Sequence, residues 1–86
     1  MDKIDLNILK SINSLSPTSF VGPVEVGEAA KLDKRELGDR LMQLKKSGHV
    51  DIITREYVSS MTLPNFIAKV KLTDLGRDAL KKGKKK

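Results

Sequence analysis

The connection at residues 31–33 constrains this chain most, because it must join two helices with only two or three residues. The first helix is predicted to begin at Pro23, since proline at the first helical position after a glycine is typical of a helix N-terminus. The second is predicted to begin after Asp33, because Asp33 and Glu36 form a D-x-x-E capping box, and to end before Gly48. A connection this short forces the two helices to cross at a sharp angle.

The second of these helices, predicted over 34–47, has an apolar face and a mixed outer face. Leu37, Leu41 and Leu44 recur at helical spacing and are predicted to face the core. At about 100° per residue, the opposite face carries Arg35, Asp39, Met42 and Lys46, with Gly38 and Gln43 flanking it. Two helices held at a sharp angle, with the second presenting its outer face, form a helix-turn-helix, whose second helix fits the major groove of DNA.

Two later segments alternate apolar and polar residues, as β-strands do. These are 50–57 and 66–72, and they are predicted to pair as an antiparallel hairpin that forms a wing over 50–72. One register brings both inner faces together. Its predicted pairs are Val50 with Leu72, Asp51 with Lys71, Ile52 with Val70, and Thr54 with Ala68.

Two further helices complete the predicted fold. Residues 2–15 form an amphipathic helix whose apolar stripe is Ile4, Ile8, Ile12 and Leu15, and a short final helix begins at Thr73. The apolar pair at 20–21 predicts a minimal strand. The expected fold class is α+β: a three-helix core, a C-terminal β-hairpin wing and a short closing helix. We expect one domain over 1–80 and a disordered lysine-rich tail over 81–86.

The composition excludes several kinds of site. The 86 residues suffice for one small domain, and the chain has no cysteine and a single histidine, His49. A disulfide framework, a thiolate metal site and a cysteine nucleophile are therefore excluded, and a lone histidine favours a structural role. The sequence contains no glycine-rich phosphate loop and no nucleophile–base pair. We expect no enzyme activity, cofactor, metal or small-molecule substrate.

Charge and hydropathy indicate where the protein works and what attracts it. No apolar run approaches the roughly 20 residues of a membrane helix, and the start MDKIDL lacks the features of a secretory signal. We therefore expect a cytoplasmic protein with no membrane partner. The net charge is +6, but five of the lysines lie in 81–86, which leaves +1 for residues 1–80. Most of the attraction for a polyanion is thus predicted to come from the tail.

Residues 23–52 resemble the core of winged helix-turn-helix transcription regulators. The positions that carry this resemblance are Val26, Gly27, Ala30, Leu32, Asp33, Leu37, Leu41, Leu44, Gly48 and Val50. The segment VKLTDLGRDAL is similar to the Leu-Thr-x-x-Gly-x-x-x-Leu segment that closes the wing in prokaryotic regulators of the MarR and PadR types. It is supplied by Leu72, Thr73, Gly76 and Leu80. Lys31 departs from the glycine that is usual in the turn.

The resemblance implies sequence-specific binding of double-stranded DNA, with helix 34–47 in the major groove. Arg35 is expected to bond guanine and Gln43 adenine. The full set of expected base contacts is Arg35, Gly38, Asp39, Met42 and Gln43. The expected phosphate contacts are Lys34, Lys45, Lys46, Arg55, Lys69, Lys71, Lys84, Lys85 and Lys86. A homodimer that binds two half-sites is also expected.

The sequence also permits two other kinds of partner, a protein and structured RNA. Asp39 on the outer face repels phosphate unless it accepts a hydrogen bond from cytosine or is held by Arg35 four residues earlier. The predicted wing loop has no basic residue and three apolar ones, Val58, Met61 and Leu63. The alternative is therefore a winged-helix module that binds a protein and not a specific DNA sequence. Structured RNA is a third possibility, disfavoured by the lack of an aromatic stacking surface.

Overall fold

The computed structural model describes residues 3–55 and 66–84, without the side chains of 82–84. It consists of four helices and one two-stranded antiparallel sheet. In chain order the elements are α1 (Lys3–Leu15), α2 (Pro23–Ala30), α3 (Lys34–Lys46), β1 (Val50–Thr54), β2 (Ile67–Leu72) and α4 (Asp74–Lys84). The predicted α+β architecture, with a three-helix core, a hairpin and a closing helix, is confirmed.

A single core lies between the helices and the inner face of the sheet. It is built from apolar residues at the spacing that the sequence predicts, and from one residue that it does not, Ile67. The fully buried side chains include Ile8, Leu9, Ile12, Val26, Leu37, Leu41, Val50, Val70 and Leu72. Leu15 was predicted to face inward but is exposed, because it is the last residue of α1 and lies at the edge of the packed helices.

The hairpin follows the predicted register over its first part and then departs from it. Val50, Asp51 and Ile52 pair with Leu72, Lys71 and Val70 as predicted. The register shifts after Ile53, so Thr54 pairs with Ile67 and the predicted pairing of Thr54 with Ala68 is wrong. An extra residue in one strand reverses which face the following side chains occupy. Ile67 consequently lies in the core although simple alternation predicts it outside.

Single contacts bring the remaining segments onto the sheet and onto α4. Val21 forms an isolated antiparallel bridge with Val70, which confirms the minimal strand at 20–21 as one bridge. The loop between α1 and α2 is joined to α4, because the Arg77 guanidinium donates a 2.8 Å hydrogen bond to the Pro17 carbonyl. These contacts join the loop before α2 to β2 and to α4.

Helix α4 continues to Lys84 and thus enters the segment 81–86, which was expected to be a disordered tail. Lysine has good helix propensity, and positive charge near a helix C-terminus interacts favourably with the helix dipole, so the extension is physically reasonable. Residues 85 and 86 lie outside the described residues, as do residues 56–65, which include Val58, Met61 and Leu63 of the predicted wing loop. Among the helices of 3–55 and 66–84, none is long and apolar enough to cross a membrane.

Candidate nucleic-acid interface

The connection between α2 and α3, residues 31–33, is a tight turn closed by backbone hydrogen bonds. The Leu32 amide donates to the Gly27 carbonyl at 3.0 Å and the Lys31 amide to the Glu28 carbonyl at 3.3 Å, the Schellman pattern. Lys31 adopts the left-handed conformation, with φ 61° and ψ 43°. The turn therefore forms with lysine at the position where glycine is usual. We call residues 31–33 the first turn.

Helix α3 begins with the predicted cap and turns its leucines inward. The Asp33 carboxylate accepts a 2.8 Å hydrogen bond from the Glu36 amide. Leu37, Leu41 and Leu44 are buried in the core. No described part of the chain covers the opposite face, where Arg35, Asp39, Met42, Gln43 and Lys46 are exposed. The leucine edge thus positions α3 so that its outer face is open to a partner.

Four of the five residues predicted to contact bases lie on this exposed face: Arg35, Asp39, Met42 and Gln43. We call them the reading face. Gly38 is the exception, because it is buried on the flank of the helix beside the leucines. Its burial does not favour a direct contact with a base edge, and the expected contact of Gly38 stays a prediction. Its helical angle places Gly38 at the boundary between the leucine face and the outer face of α3.

The basic residues predicted to contact phosphate are distributed around α3 and the hairpin. Lys34, Lys45 and Lys46 are exposed on α3, and Arg55 and Lys69 are exposed on or next to the strands. Lys71 is only half-exposed, and its Nζ lies over the Phe20 ring, 5.1 Å from the centroid. The side chain of Lys84 is not described, and Lys85 and Lys86 lie outside the described residues.

The two arginines of α3 have different surroundings. Arg40 forms ion pairs with Asp5 of α1 at 3.3 Å and with Glu36 at 3.7 Å, the second of which has i,i+4 spacing. Arg35 and Asp39 also have this spacing, yet among residues 3–55 and 66–84 they form no ion pair with each other. Arg40 therefore attaches α3 to α1, whereas Arg35 extends from the reading face. The sequence did not predict the Asp5–Arg40 pair, because it depends on how the two helices lie against each other.

The other end of α3 is held by the start of α4. Gly48 follows the helix with φ 86°, and the His49 and Gly48 amides donate to the Leu44 and Lys45 carbonyls at 2.9 and 3.0 Å. The Thr73 hydroxyl donates to the Gly48 carbonyl and accepts from the Gly76 amide. We call residues 47–49 the second turn. The Leu-Thr-x-x-Gly segment thereby caps α4 and holds the end of α3 with one side chain.

Within residues 3–55 and 66–84, His49 and the acidic side chains form no recognisable reaction centre. The Ser47 hydroxyl lies 2.6 Å from His49 Nδ1, at the border of a cavity of about 260 Å³ that Asp5, Gln43 and Leu44 also line. In the described residues, no group of three or more histidine, aspartate or glutamate side chains is placed to hold a metal ion. His49 is a turn residue in this arrangement, and the open face of α3 is the stronger candidate for a binding site.

Solved structures of bacterial regulators have the same fold. BpsR of Bordetella bronchiseptica, from a study of how 6-hydroxynicotinic acid regulates its DNA binding, matches with a TM-score of 0.73 at 16% identity. Oxidised MarR of E. coli matches at 0.71 with 24% identity, and a cysteine-to-serine mutant of MarR at 0.72 with 23%. Each match covers 95% of this chain. The fold is therefore the winged helix-turn-helix of MarR-type regulators, as the sequence predicted.

The similarity is one of structure over part of each neighbour. The chain spans about half of their length, 51% of BpsR and 52% and 54% of the two MarR chains. No protein-family model matches the sequence, and no curated protein matches it.

Proposed function

We propose that this chain binds double-stranded DNA as the DNA-binding domain of a transcription regulator, with α3 in the major groove and the β1–β2 hairpin beside it. The open outer face of α3 carries the proposal. There the reading face lies beside three exposed lysines, Lys34, Lys45 and Lys46, while the leucines of the same helix are buried. Lysines position a protein on phosphates, and side chains that reach base edges provide sequence information. BpsR, which has the same fold, binds DNA.

A selection from random duplexes followed by fluorescence anisotropy tests the proposal. The probe is the duplex that the unaltered chain enriches most. We expect Arg35→Ala to lower affinity by about tenfold or more and to relax the preference at one base pair. Lys45→Ala should weaken binding to all duplexes alike and reduce the slope of log affinity against log salt by about 1. The two variants therefore distinguish a residue that contacts bases from one that contacts phosphate.

Lys10→Ala is the matched control, because Lys10 is an exposed lysine of α1 outside α3 and the hairpin. It should change neither the affinity nor the base preference measurably. If Arg35→Ala and Lys45→Ala both bind the selected duplex like the parent, the placement of α3 in the groove is wrong.

The C-terminal lysines are proposed to contribute sequence-independent affinity. Replacing Lys84, Lys85 and Lys86 by glutamine removes three positive charges without shortening α4. Since each neutralised phosphate contributes about 0.9 to the slope, the slope should fall by about 2.7 with the selected sequence unchanged. A change in the selected sequence would contradict a purely electrostatic role.

A homodimer that binds two half-sites is the proposed assembly. A single domain of this size offers a limited contact area with DNA, and twofold symmetry in a protein is mirrored by a palindromic site. Enrichment of a palindrome in the selection supports the dimer, and enrichment of one short asymmetric element contradicts it.

Asp39 favours one second candidate, a module that binds a protein partner. Its carboxylate is exposed in the middle of the reading face and forms no ion pair with Arg35 in the described residues. Such a charge repels a phosphate backbone unless it accepts a hydrogen bond from cytosine N4. Replacing Asp39 by asparagine distinguishes the two cases. DNA readout predicts a changed preference at one base pair, and protein binding predicts uniformly weak, sequence-independent affinity for DNA before and after the change.

A further inference from the structure

The reading face contains one large apolar side chain, Met42, with 38% of its surface exposed. It lies opposite the buried leucines, among residues that are charged or polar. Its neighbours one turn away are Asp39, Lys45 and Lys46. Met42 is not part of the core, so its exposed side chain is available to an apolar group of a partner.

Resting on the proposed function, we infer that Met42 is a specificity-determining residue that contacts the C5 methyl group of a thymine. In the major groove, that methyl is the apolar feature by which base pairs differ, whereas the other groups donate or accept hydrogen bonds. An unbranched thioether side chain reaches and adapts to such a group, and the contact removes apolar surface from water on both sides.

The spacing along α3 separates this contact from that of Arg35. The two residues are seven apart, which is two helical turns or about 10.5 Å along the axis. Stacked base pairs rise about 3.4 Å each, so this separation spans up to about three base-pair steps, and fewer where the helix is inclined to the DNA axis. Arg35 and Met42 thus read different positions, and loss of one contact leaves the other in place.

Removal of the thymine methyl tests the inference without changing base pairing. The probe is the duplex selected by the unaltered chain, resynthesised with deoxyuridine at one thymine at a time. At one thymine in each half-site, the parent should bind about fourfold more weakly, the effect of one buried methyl-sized group. At that thymine Met42→Ala should bind the thymine and deoxyuridine duplexes equally.

Two further variants separate apolar contact from structure. Met42→Leu keeps an apolar side chain of similar volume and should retain sensitivity to the methyl. Met42→Gln keeps the length but is polar, and it should lose that sensitivity while it folds like the parent.

The outcomes distinguish this inference from the proposed function. If the parent binds its selected duplex and tolerates deoxyuridine at every thymine, the role of Met42 is wrong and DNA binding stands. If all three variants keep the same sensitivity as the parent, the methyl is read by another residue and the inference is again wrong. If the parent enriches no duplex, both the specific DNA binding and the role of Met42 are overturned.

Discussion

Helices α2 and α3 both end in the same hydrogen-bond pattern but with different residues. Both the first turn and the second turn are Schellman motifs with one residue in the left-handed conformation. That residue is Lys31 in the first and Gly48 in the second. A distant side chain also donates to a nearby carbonyl in both cases: Asn7 to Ala30, just before the first turn, and Thr73 to Gly48, in the second turn.

The difference lies in what packs on each turn. The backbone of α4 approaches the second turn so closely that a Cβ at Gly76 would overlap the His49 carbonyl oxygen. At the first turn, the side chain of Lys31 is exposed. The second turn is therefore fixed by its contact with α4, which permits only glycine at position 76. The first turn is fixed mainly by its own backbone hydrogen bonds. Substitutions at the two turns should differ in size and in sign.

The largest effect is expected for Gly76→Ala. Alanine favours a helix by up to about 1 kcal/mol over glycine, but here its Cβ meets backbone that does not yield as a side chain does. We expect a net loss of about 2 kcal/mol in the free energy of unfolding, measured by urea denaturation with circular dichroism. Asp78→Ala, exposed on the same helix, is the control and should change stability by less than about 0.5 kcal/mol. A stabilised Gly76→Ala variant would mean that α4 does not approach the second turn.

Thr73→Val is expected to have the next largest effect. The hydroxyl both caps α4 and donates to the Gly48 carbonyl, and valine preserves its shape while removing both hydrogen bonds. Loss of a cap together with a carbonyl partner should cost about 1.5 kcal/mol in the same denaturation experiment. Thr73→Ser keeps the hydroxyl and should retain most of the stability. A Thr73→Val variant as stable as the parent would show that the hydroxyl does not stabilise this junction.

Gly48→Ala tests the cost of the left-handed backbone conformation at this position, because the added Cβ meets no steric clash. A Cβ at Gly48 would lie 3.5 Å from the Leu75 side chain, an ordinary contact, so the cost comes from φ 86° alone. We expect a loss of about 1 kcal/mol in the free energy of unfolding. Gly48→Asn should lose less, since asparagine tolerates the left-handed region better than alanine. If asparagine and alanine cost the same, backbone conformation is not what limits this position.

Local signals in the sequence predicted the helices and the first part of the hairpin. Asp33 with Glu36 and the leucine spacing predicted α3, and the alternation of apolar residues predicted three cross-strand pairs. The bulge beyond Ile53 was missed, because Ala68 fits an inner position and nothing in its type marks an extra residue. The prediction that the outer face of α3 is exposed was confirmed. It was predictable because the three buried leucines fix the rotation of the helix about its own axis.

Features that depend on several elements at once were not predictable from local patterns. The angle of Gly38 on α3 lies at the border of two faces, so helical periodicity alone does not predict that it is buried. The ion pair of Arg40 with Asp5 joins residues 35 positions apart. Which bases the reading face contacts stays a prediction, since exposure does not identify a ligand.

The smallest effect, with the opposite sign, is expected at Lys31. A left-handed conformation costs a residue with a Cβ about 1–2 kcal/mol, and glycine avoids this cost. Glycine also makes the unfolded chain more flexible, which offsets about 0.4–1 kcal/mol of the gain. Lys31→Gly should therefore raise the free energy of unfolding by about 0.5 kcal/mol, measured as an increase in the urea midpoint. Lys31→Ala keeps the Cβ but removes the charge, so it should leave stability unchanged. A gain in both variants would attribute the strain to charge. A loss in the glycine variant would mean that the first turn depends on the lysine side chain, and the contrast with Gly48 would disappear.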